Sequence, residues 1–182
     1  MKNLIFKENT IYSSKFDDIY YNPKYGIEES FYTFIKGCNL DLELKTKENL
    51  LIAELGFGTG LNFICLLKFI KENNITSKIN YYSIEKFPLK KKTIMQISKL
   101  FVKETAYFKL MLKHGFSPKK NPEMWNNEIF NLISQKSSPG CKLSTFSSAR
   151  IVKDGLKLAN FKYIHIEKGF GNKRHMIRAQ KN

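Results

Sequence analysis

Three glycines at alternate positions follow an apolar run, and they are the residues of this sequence best suited to holding a ligand. Residues 50–55 predict a strand, and an amphipathic segment that begins at Leu61 predicts a helix. Between them, Gly56, Gly58 and Gly60 allow positive φ and close approach of a ligand to bare backbone. This arrangement predicts a nucleotide-type cofactor site at the edge of an α/β sheet, with an ordinary strand-to-helix turn as the alternative.

The flanking residues distinguish between cofactors. A dinucleotide fingerprint needs glycine at the sixth position of the motif, where this chain has Leu61, and a P-loop needs a lysine after the last glycine. Glu54, just before the loop, would repel a pyrophosphate but suits a cationic ligand. Glu85 closes the next β-prone run, near the spacing of about 20 residues at which an acid binds ribose hydroxyls. Because S-adenosylmethionine is cationic and carries no phosphate, we predict it as the cofactor.

Composition sets the class of protein. A chain of 182 residues with 42% hydrophobic and 14% aromatic residues predicts one folded domain and excludes wholesale disorder. It contains no apolar run of membrane-span length, and residues 1–7 are too short for a secretory core. The three cysteines lack paired metal spacing, so we expect reduced, buried thiols, no metal and a cytoplasmic location.

The formal net charge of +15 favours a polyanionic partner, and RNA fits best. Lysine supplies almost all of that charge, since arginine occurs only at positions 150, 174 and 178. A lysine-rich coding bias is therefore an alternative source of part of the excess.

The pattern along the chain predicts an N-terminal β extension over residues 1–48 and a Rossmann-like core over residues 49–182, in a single domain. In the extension, Phe31–Ile35 and Leu40–Leu44 are predicted to pair as a hairpin. Strands of the core are predicted at 50–55, 79–85, 107–112, 141–146, 161–167 and 174–180. Helices are predicted at 61–72, 89–101 and 149–160, with a further one that starts at Asn121 and buries Ile129 and Ile133.

Several longer sequence motifs, in the same order along the chain, resemble those of one family, the methyltransferase half of the bifunctional tRNA 5-methylaminomethyl-2-thiouridine biosynthesis enzyme. The resemblance covers nearly the whole chain. The matching motifs are the entry segment from Phe16 to Glu29, Glu54 with Gly56–Phe63, Glu85–Pro88, Gly115–Trp125, Thr145–Ala149 and Lys168–Met176. In the last motif, His175 replaces a family glutamate.

The resemblance implies a class I S-adenosylmethionine-dependent methyltransferase fold and methyl transfer to the aminomethyl nitrogen of 5-aminomethyl-(2-thio)uridine at the tRNA wobble position. No second glycine fingerprint appears in this sequence, so we expect any oxidative removal of a carboxymethyl group to fall to a separate flavin-dependent oxidase or not to be needed. The residues implied to bind the cofactor are Glu54, Gly56, Phe57, Gly58, Thr59, Gly60, Asn62, Glu85 and Lys86. Those implied at the substrate are Phe116 beside the base and Lys119, Lys120, Lys173 and Arg174 on phosphates. The alternative for Phe116 is an aromatic residue of the core, and the alternative for the four basic residues is a solvated charged face. Asp17 and Asp18 are most simply explained as solvated surface acids.

Two departures from the family pattern bear on catalysis. His114 stands where the family has an aspartate at a strand end, and an imidazole could accept the proton of the amine or simply face solvent. The stretch between Glu85 and Gly115 is too short for the usual complement of elements, so the core is predicted to lack one strand–helix unit. Two further hypotheses therefore stand beside the active enzyme: a degenerate, non-catalytic relative that retains the fold and RNA binding, and a methyltransferase with another substrate.

Overall fold

The computed structural model describes residues 4–7, 10–14, 16–114, 127–171, 173 and 175–182, and the side chains of residues 110 and 112–114 are not described. The strands are β1 (Leu4–Lys7), β2 (Thr10–Ser13), β3 (Asp18–Ile19), β4 (Asn49–Leu55), β5 (Lys78–Ile84), β6 (Lys142–Thr145), β7 (Phe161–Glu167) and β8 (Met176–Lys181). The α-helices are α1 (Gly26–Ser30), α2 (Leu40–Thr46), α3 (Leu61–Glu72), α4 (Lys91–Ser98), α5 (Thr105–His114), α6 (Asn127–Lys136) and α7 (Arg150–Leu158). A π-helix, Phe31–Lys36, continues α1, and a short 3-10 helix, Val102–Glu104, precedes α5.

The described strands form three small sheets. β4 and β5 pair in parallel and in continuous register from Asn49↔Lys78 to Leu55↔Ile84, with α3 as the crossover helix. β8 lies between β6 and β7 and pairs antiparallel with both, so β6 and β7 run in the same direction. β1, β2 and β3 form an antiparallel meander at the N-terminus. The strands predicted at 50–55 and 79–85 and the helix predicted between them, at 61–72, are confirmed.

Three apolar clusters hold these elements together. One packs Ile64 of α3 against Phe108 and Met111 of α5. A second joins α6 and α7 to β7 and β8 through buried residues such as Phe130 and Phe161. The third packs α2 and α3 on the inner face of β4 and β5. Helix α3 therefore contributes to two clusters and is the central support of the cofactor half.

The opposite face of the β4–β5 pair is open in the described part of the chain. Leu51 is 66% exposed and Tyr82 is 60% exposed. Parallel sheets are usually covered on both faces because apolar strands otherwise meet water. This open face agrees with a core that lacks one strand–helix unit.

The predicted hairpin at Phe31–Ile35 and Leu40–Leu44 is wrong, because both segments are helical. Their β-prone residues find burial on helices instead: Ile35 and Leu44 belong to the cluster that packs on α3. Asn39 adopts the left-handed conformation, with φ of 54°, and starts α2. Tertiary burial has overridden local strand propensity here.

The predicted strand at 107–112 is also wrong, since these residues lie within α5. Glu104, Phe108 and Met111 are all buried, and their spacing of four and then three residues is that of one helix face. The other predicted elements are confirmed with shifts at their ends, and β7 matches its predicted bounds. The predicted helix start at Asn121 lies outside the described residues.

Candidate active site

The glycine turn between β4 and α3 is built from backbone that other residues rarely adopt. Gly56, Gly58 and Gly60 have φ values of 85°, 53° and 80°. The Gly56 N–H donates to the carbonyl of Ile84 at 2.7 Å, which ties the turn to the end of β5. A Cβ on Gly60 would lie 2.8 Å from Met111 Sδ, so the methionine side chain would have to shift, and the positive φ independently favours glycine there. The turn is therefore preformed by the fold.

Glu54, in β4 just before this turn, is a partly buried carboxylate with three described donors. Tyr81 Oη donates to Glu54 Oε2 at 2.7 Å and Ser83 Oγ donates to the same oxygen at 3.0 Å. Asn62 Nδ2, from the first turn of α3, donates to Oε1 at 2.8 Å. The carboxylate thus links β4, β5 and α3 at the point where the glycines join them.

Burial raises the pKa of the Glu54 carboxyl above its ordinary value of 4.5, and the charge of Glu85 raises it further. The hydrogen bonds from its three donors lower it and so favour the charged form. Two carboxylates close enough to repel each other favour a cation between or beside them.

Glu85 lies at the end of β5 and reaches across the turn. Its Oε2 accepts the Gly58 N–H at 2.8 Å and its Oε1 accepts the Phe87 N–H at 2.7 Å. Because a carboxylate offers about four acceptor positions, both oxygens keep capacity for further donors such as ribose hydroxyls.

The ring of Tyr20 covers the turn from the N-terminal segment. A Cβ on Gly58 would lie 3.4 Å from Tyr20 Cδ1, which is ordinary contact distance. Burial, and then the charge of Glu85, raise the pKa of the Tyr20 phenol. Tyr20 therefore forms one wall of the candidate cofactor site.

These residues fit S-adenosylmethionine. Glu54 and Glu85 supply the negative field that suits a sulfonium and an ammonium, and Glu85 has free acceptor capacity beside the turn. The glycines leave backbone that a ligand can approach closely. A phosphate-bearing cofactor would instead meet two carboxylates.

The remaining cofactor residues predicted from sequence lie on the same turn or next to it. Phe57 and Thr59 are part of the turn, and Thr59 is buried. Lys86 follows Glu85, is exposed, and holds its Nζ 5.6 Å from the centre of the Phe87 ring. The structure thus brings together all nine residues predicted for the cofactor, and their roles stay predictions.

The residues predicted at the substrate are less completely described. His114 is the last residue of α5, on a helix instead of the expected strand end. Lys173 is exposed, pairs with Glu29 at 2.8 Å, and lies 4.0 Å from the centre of the Phe146 ring. Phe116, Lys119, Lys120 and Arg174 lie outside the described residues.

Tyr20, Tyr81 and Ser83 were not predicted as site residues from the sequence. Tyr81 and Ser83 alternate with Glu85 along β5 at a period of two, which places all three side chains on one face of the strand. In a parallel pair with the acid-bearing strand, that face meets Glu54, and this signal was available in the sequence. Tyr20 carried no such signal because only the tertiary fold brings it to Gly58.

The described residues contain no group of three or more histidine, cysteine or acidic side chains able to hold a metal ion. All three cysteines are free, as predicted, although only Cys65 is fully buried. Burial raises the pKa of the Cys38 and Cys65 thiols to about 12, which makes both poor nucleophiles. Within the described residues, no helix combines the length and the apolar character needed to cross a bilayer.

Comparison with known proteins decides the family. A family described as S-adenosyl-L-methionine-dependent methyltransferase matches residues 74–182. The chain belongs to this methyltransferase family. Its match begins after the glycine turn, so the geometry of Gly56–Gly60 is an independent observation that agrees with the family's cofactor.

This methyltransferase is similar over most of its length to curated proteins named tRNA 5-methylaminomethyl-2-thiouridine biosynthesis bifunctional protein MnmC. It is 33% identical to that of Leptospira interrogans over 222 residues, which cover 96% of this chain and 34% of the relative. It is 30% identical to that of Nitrosospira multiformis over 223 residues, which cover 97% of this chain and 36% of the relative. The methyltransferase thus spans about a third of the length of these relatives.

The lengths of these alignments support the predicted shortening. The alignment to the Leptospira protein extends over 222 positions, whereas the methyltransferase has 182 residues. The relative therefore holds residues inside the matched region for which this chain has no counterpart.

The fold is shared with a solved structure, titled crystal structure of MNMC2 from Aquifex aeolicus. The TM-score is 0.72 at 21% identity, over 99% of this chain and 70% of the other. The predicted Rossmann-like methyltransferase fold is confirmed.

Proposed function

We propose that this methyltransferase transfers a methyl group from S-adenosylmethionine to the aminomethyl nitrogen of 5-aminomethyl-(2-thio)uridine at the tRNA wobble position. The observation that carries the proposal is the pair of acids, Glu54 and Glu85, held on either side of a preformed glycine turn in a chain of this family. The printed name of the relatives supports the choice of substrate.

The chain's own residues would hold and orient the reactants. S-adenosylmethionine supplies an electrophilic methyl group when bound. Glu85 would accept the ribose hydroxyls, and Glu54 would keep the turn in shape while its charge favours a cationic ligand. For the amine to attack, its nitrogen must present a free lone pair in line with the methyl carbon.

A proton must leave the amine as the nitrogen–carbon bond forms and S-adenosylhomocysteine is released. We propose His114 as the group that takes up this proton, since imidazole ordinarily exchanges protons near neutral pH. Phe116 is proposed to flank the target base, because aromatic rings commonly hold unstacked bases.

The excess of positive charge supports tRNA as the partner, and Lys119, Lys120, Lys173 and Arg174 are proposed to contact its phosphates. A separate flavin-dependent oxidase that acts on the same nucleotide remains part of this proposal. A cytoplasmic location follows from the proposed substrate.

Two measurements on purified protein test the proposal. Calorimetric titration with S-adenosylhomocysteine measures the cofactor site, and transfer of a labelled methyl group to tRNA that carries 5-aminomethyluridine measures the reaction. Glu85→Gln removes the charge that receives two backbone N–H groups, so affinity for S-adenosylhomocysteine should fall by about 10- to 150-fold. Glu128→Gln, at an exposed acid on α6, is the matched control and should bind as the wild type does.

Folded wild-type protein that fails to bind S-adenosylhomocysteine would contradict the assignment of the cofactor site. Binding without transfer to the modified tRNA would contradict the proposed substrate alone. Equal loss of affinity in Glu85→Gln and Glu128→Gln would show that Glu85 has no specific role.

A further inference from the structure

Three aromatic side chains from separate parts of the sequence meet at the surface, and we refer to Tyr25, Tyr32 and Phe170 as the aromatic cluster. The ring centre of Phe170 lies 6.2 Å from that of Tyr25, at an interplanar angle of 67°. It lies 5.8 Å from that of Tyr32, at an angle of 51°. Tyr25 is 40% exposed and Tyr32 is 37% exposed, so the cluster presents ring surface to solvent.

The loop that carries Phe170 is fixed to the N-terminal helices. Tyr32 Oη donates to the carbonyl of Lys168 at 3.2 Å. On the other side of Phe170, Lys173 Nζ pairs with Glu29 Oε1 at 2.8 Å. Phe170 is therefore anchored from both sides and its ring is preorganised against the two tyrosines.

The aromatic cluster lies close to the candidate cofactor site. Tyr25 directly precedes Gly26, and a Cβ on Gly26 would lie 3.2 Å from Leu61 Cδ2. Leu61 in turn follows Gly60, the last glycine of the turn. The Tyr25 end of the cluster is thus connected to the cofactor turn through the contact between Gly26 of α1 and Leu61 of α3, and the Tyr32 end lies against the later turns of α3.

A cleft of about 410 Å³ opens beside the cluster. Its walls include Phe31, Tyr32, Phe69 and Phe170, and Lys36 and Glu72 are among its polar residues. This volume falls within the range of about 300–1,000 Å³ that is usual for small-ligand sites. The cleft has room for a planar group that stacks on the exposed rings.

Two exposed lysines flank the aromatic cluster, and the wall of the cleft also carries the acids Glu28 and Glu72. Lys24 Nζ lies 5.0 Å from the centre of the Tyr25 ring, and Lys168 is exposed next to the loop. Two of the neighbouring acids, Glu29 and Asp41, are ion-paired with Lys173 and Lys36. Exposed rings interleaved with lysines are the combination by which proteins bind single-stranded nucleic acid.

We propose that the aromatic cluster is a stacking platform for an unpaired base of single-stranded RNA, placed beside the cofactor site so that a neighbouring nucleotide reaches the methyl group. This inference rests on the proposed function and names the surface that receives the RNA. It assigns to Tyr25, Tyr32 and Phe170 the contact with bases, and to the adjacent lysines the contact with phosphates.

Binding of a fluorescein-labelled anticodon stem–loop RNA, followed by anisotropy, tests the proposal. Phe170→Ala and Tyr25→Ala should each weaken binding by about 5- to 150-fold, the range that loss of one base–aromatic stack produces. Phe170→Tyr keeps a ring and should bind as the wild type does. A blunt duplex RNA of equal length, with no unpaired base, should bind wild type and alanine variants equally.

Matched controls separate stacking from stability and from charge. Tyr163→Ala removes another exposed tyrosine, 58% exposed on β7, and should leave RNA affinity unchanged. Lys24→Gln should lower the dependence of affinity on salt, whereas the aromatic variants should keep the wild-type salt dependence. Should Phe170→Ala unfold, the more exposed Tyr25→Ala decides the matter, with affinity for S-adenosylhomocysteine as the check that the cofactor half is intact.

Wild-type affinity of Tyr25→Ala and Phe170→Ala for the stem–loop would overturn the platform, as would equal losses on stem–loop and duplex. Failure of the proposed function has a different signature. In that case wild-type protein transfers no methyl group to tRNA, while the comparison between stem–loop and duplex still reports whether the rings bind bases.

Discussion

The partly buried carboxylate of Glu54, next to the glycine turn, leads to a sharp prediction about Tyr81. Tyr81→Phe removes the hydroxyl that donates to Glu54 at 2.7 Å and leaves the ring in place. Asn62 and Ser83 still donate to the carboxylate, so Glu54 loses one of three described donors. The variant therefore isolates the contribution of one hydrogen bond to a partly buried carboxyl group.

The size of the effect depends on whether Glu54 is charged. A hydrogen bond to a charged group contributes about 1.5–3 kcal/mol to the free energy of unfolding, and one between neutral groups about 0.5–1.5 kcal/mol. For a chain of this length, each kcal/mol shifts Tm by about 2–4 °C. Tyr81→Phe should lower Tm by about 3–12 °C when Glu54 is charged and by about 1–6 °C when it is protonated.

The pH dependence follows from the direction of the pKa shift. Burial raises the pKa of Glu54 above 4.5, so between 4.5 and the raised pKa the folded state binds more protons than the unfolded state. Stability from this group therefore falls as pH rises through that window. Because the Tyr81 hydrogen bond lowers the pKa of Glu54, its removal extends the window upward and adds a loss that grows with pH.

Thermal denaturation of wild type, Tyr81→Phe and Tyr163→Phe at pH 5 and pH 8 measures this. Tyr163 is exposed, and Tyr163→Phe should stay within about 0.5 kcal/mol of wild type at both values. A Tyr81→Phe destabilisation that is the same at pH 5 and pH 8, or no larger than that of Tyr163→Phe, would refute the role assigned to the Glu54 network.

Two further substitutions test the packing of the fold away from the cofactor turn. Gly155→Ala places a Cβ far inside contact distance of the buried Phe130 ring, so overpacking of about 1–3 kcal/mol should outweigh the gain of about 1 kcal/mol in helix propensity, and urea denaturation should show lower stability. Arg178→Lys keeps the charge but loses the fork that donates to the carbonyl of Gly37 at 2.8 Å and to Asn39 Oδ1 at 2.6 Å, and unfolding free energy should fall by about 1–3 kcal/mol.

The cofactor half of the fold was predictable because its signals are local. An apolar run, alternate glycines and an amphipathic segment determine β4, the turn and α3 with little help from distant residues. Glu85, at the end of β5, was predictable for the same reason, because its strand follows the glycine turn and α3 closely in the sequence. The site residues found from sequence are therefore those whose neighbours along the chain also lie close in space.

Where tertiary packing decides, sequence patterns misled. Residues 31–36 are rich in aromatic and β-branched side chains, yet they continue α1 as a π-helix because Ile35 and Phe31 pack against α3. Gly37 shows the same influence, since a Cβ there would collide with the carbonyl of Thr33 and with Ser144 Oγ. The contact between Gly37 and Ser144 joins positions more than a hundred residues apart, and no local pattern encodes it.

The shortened core and the cofactor site are separable parts of the molecule. The contacts described for the glycine turn and its two acids come from residues 20–111, on the N-terminal side of the sequence motif that begins at Gly115. A core that lacks one strand–helix unit can therefore keep its cofactor turn, while the acceptor side depends on His114 and the residues that follow it. If the wild-type chain binds S-adenosylhomocysteine but transfers no methyl group, the defect lies on the acceptor side. If it neither binds nor transfers, the turn itself needs the missing strand–helix unit.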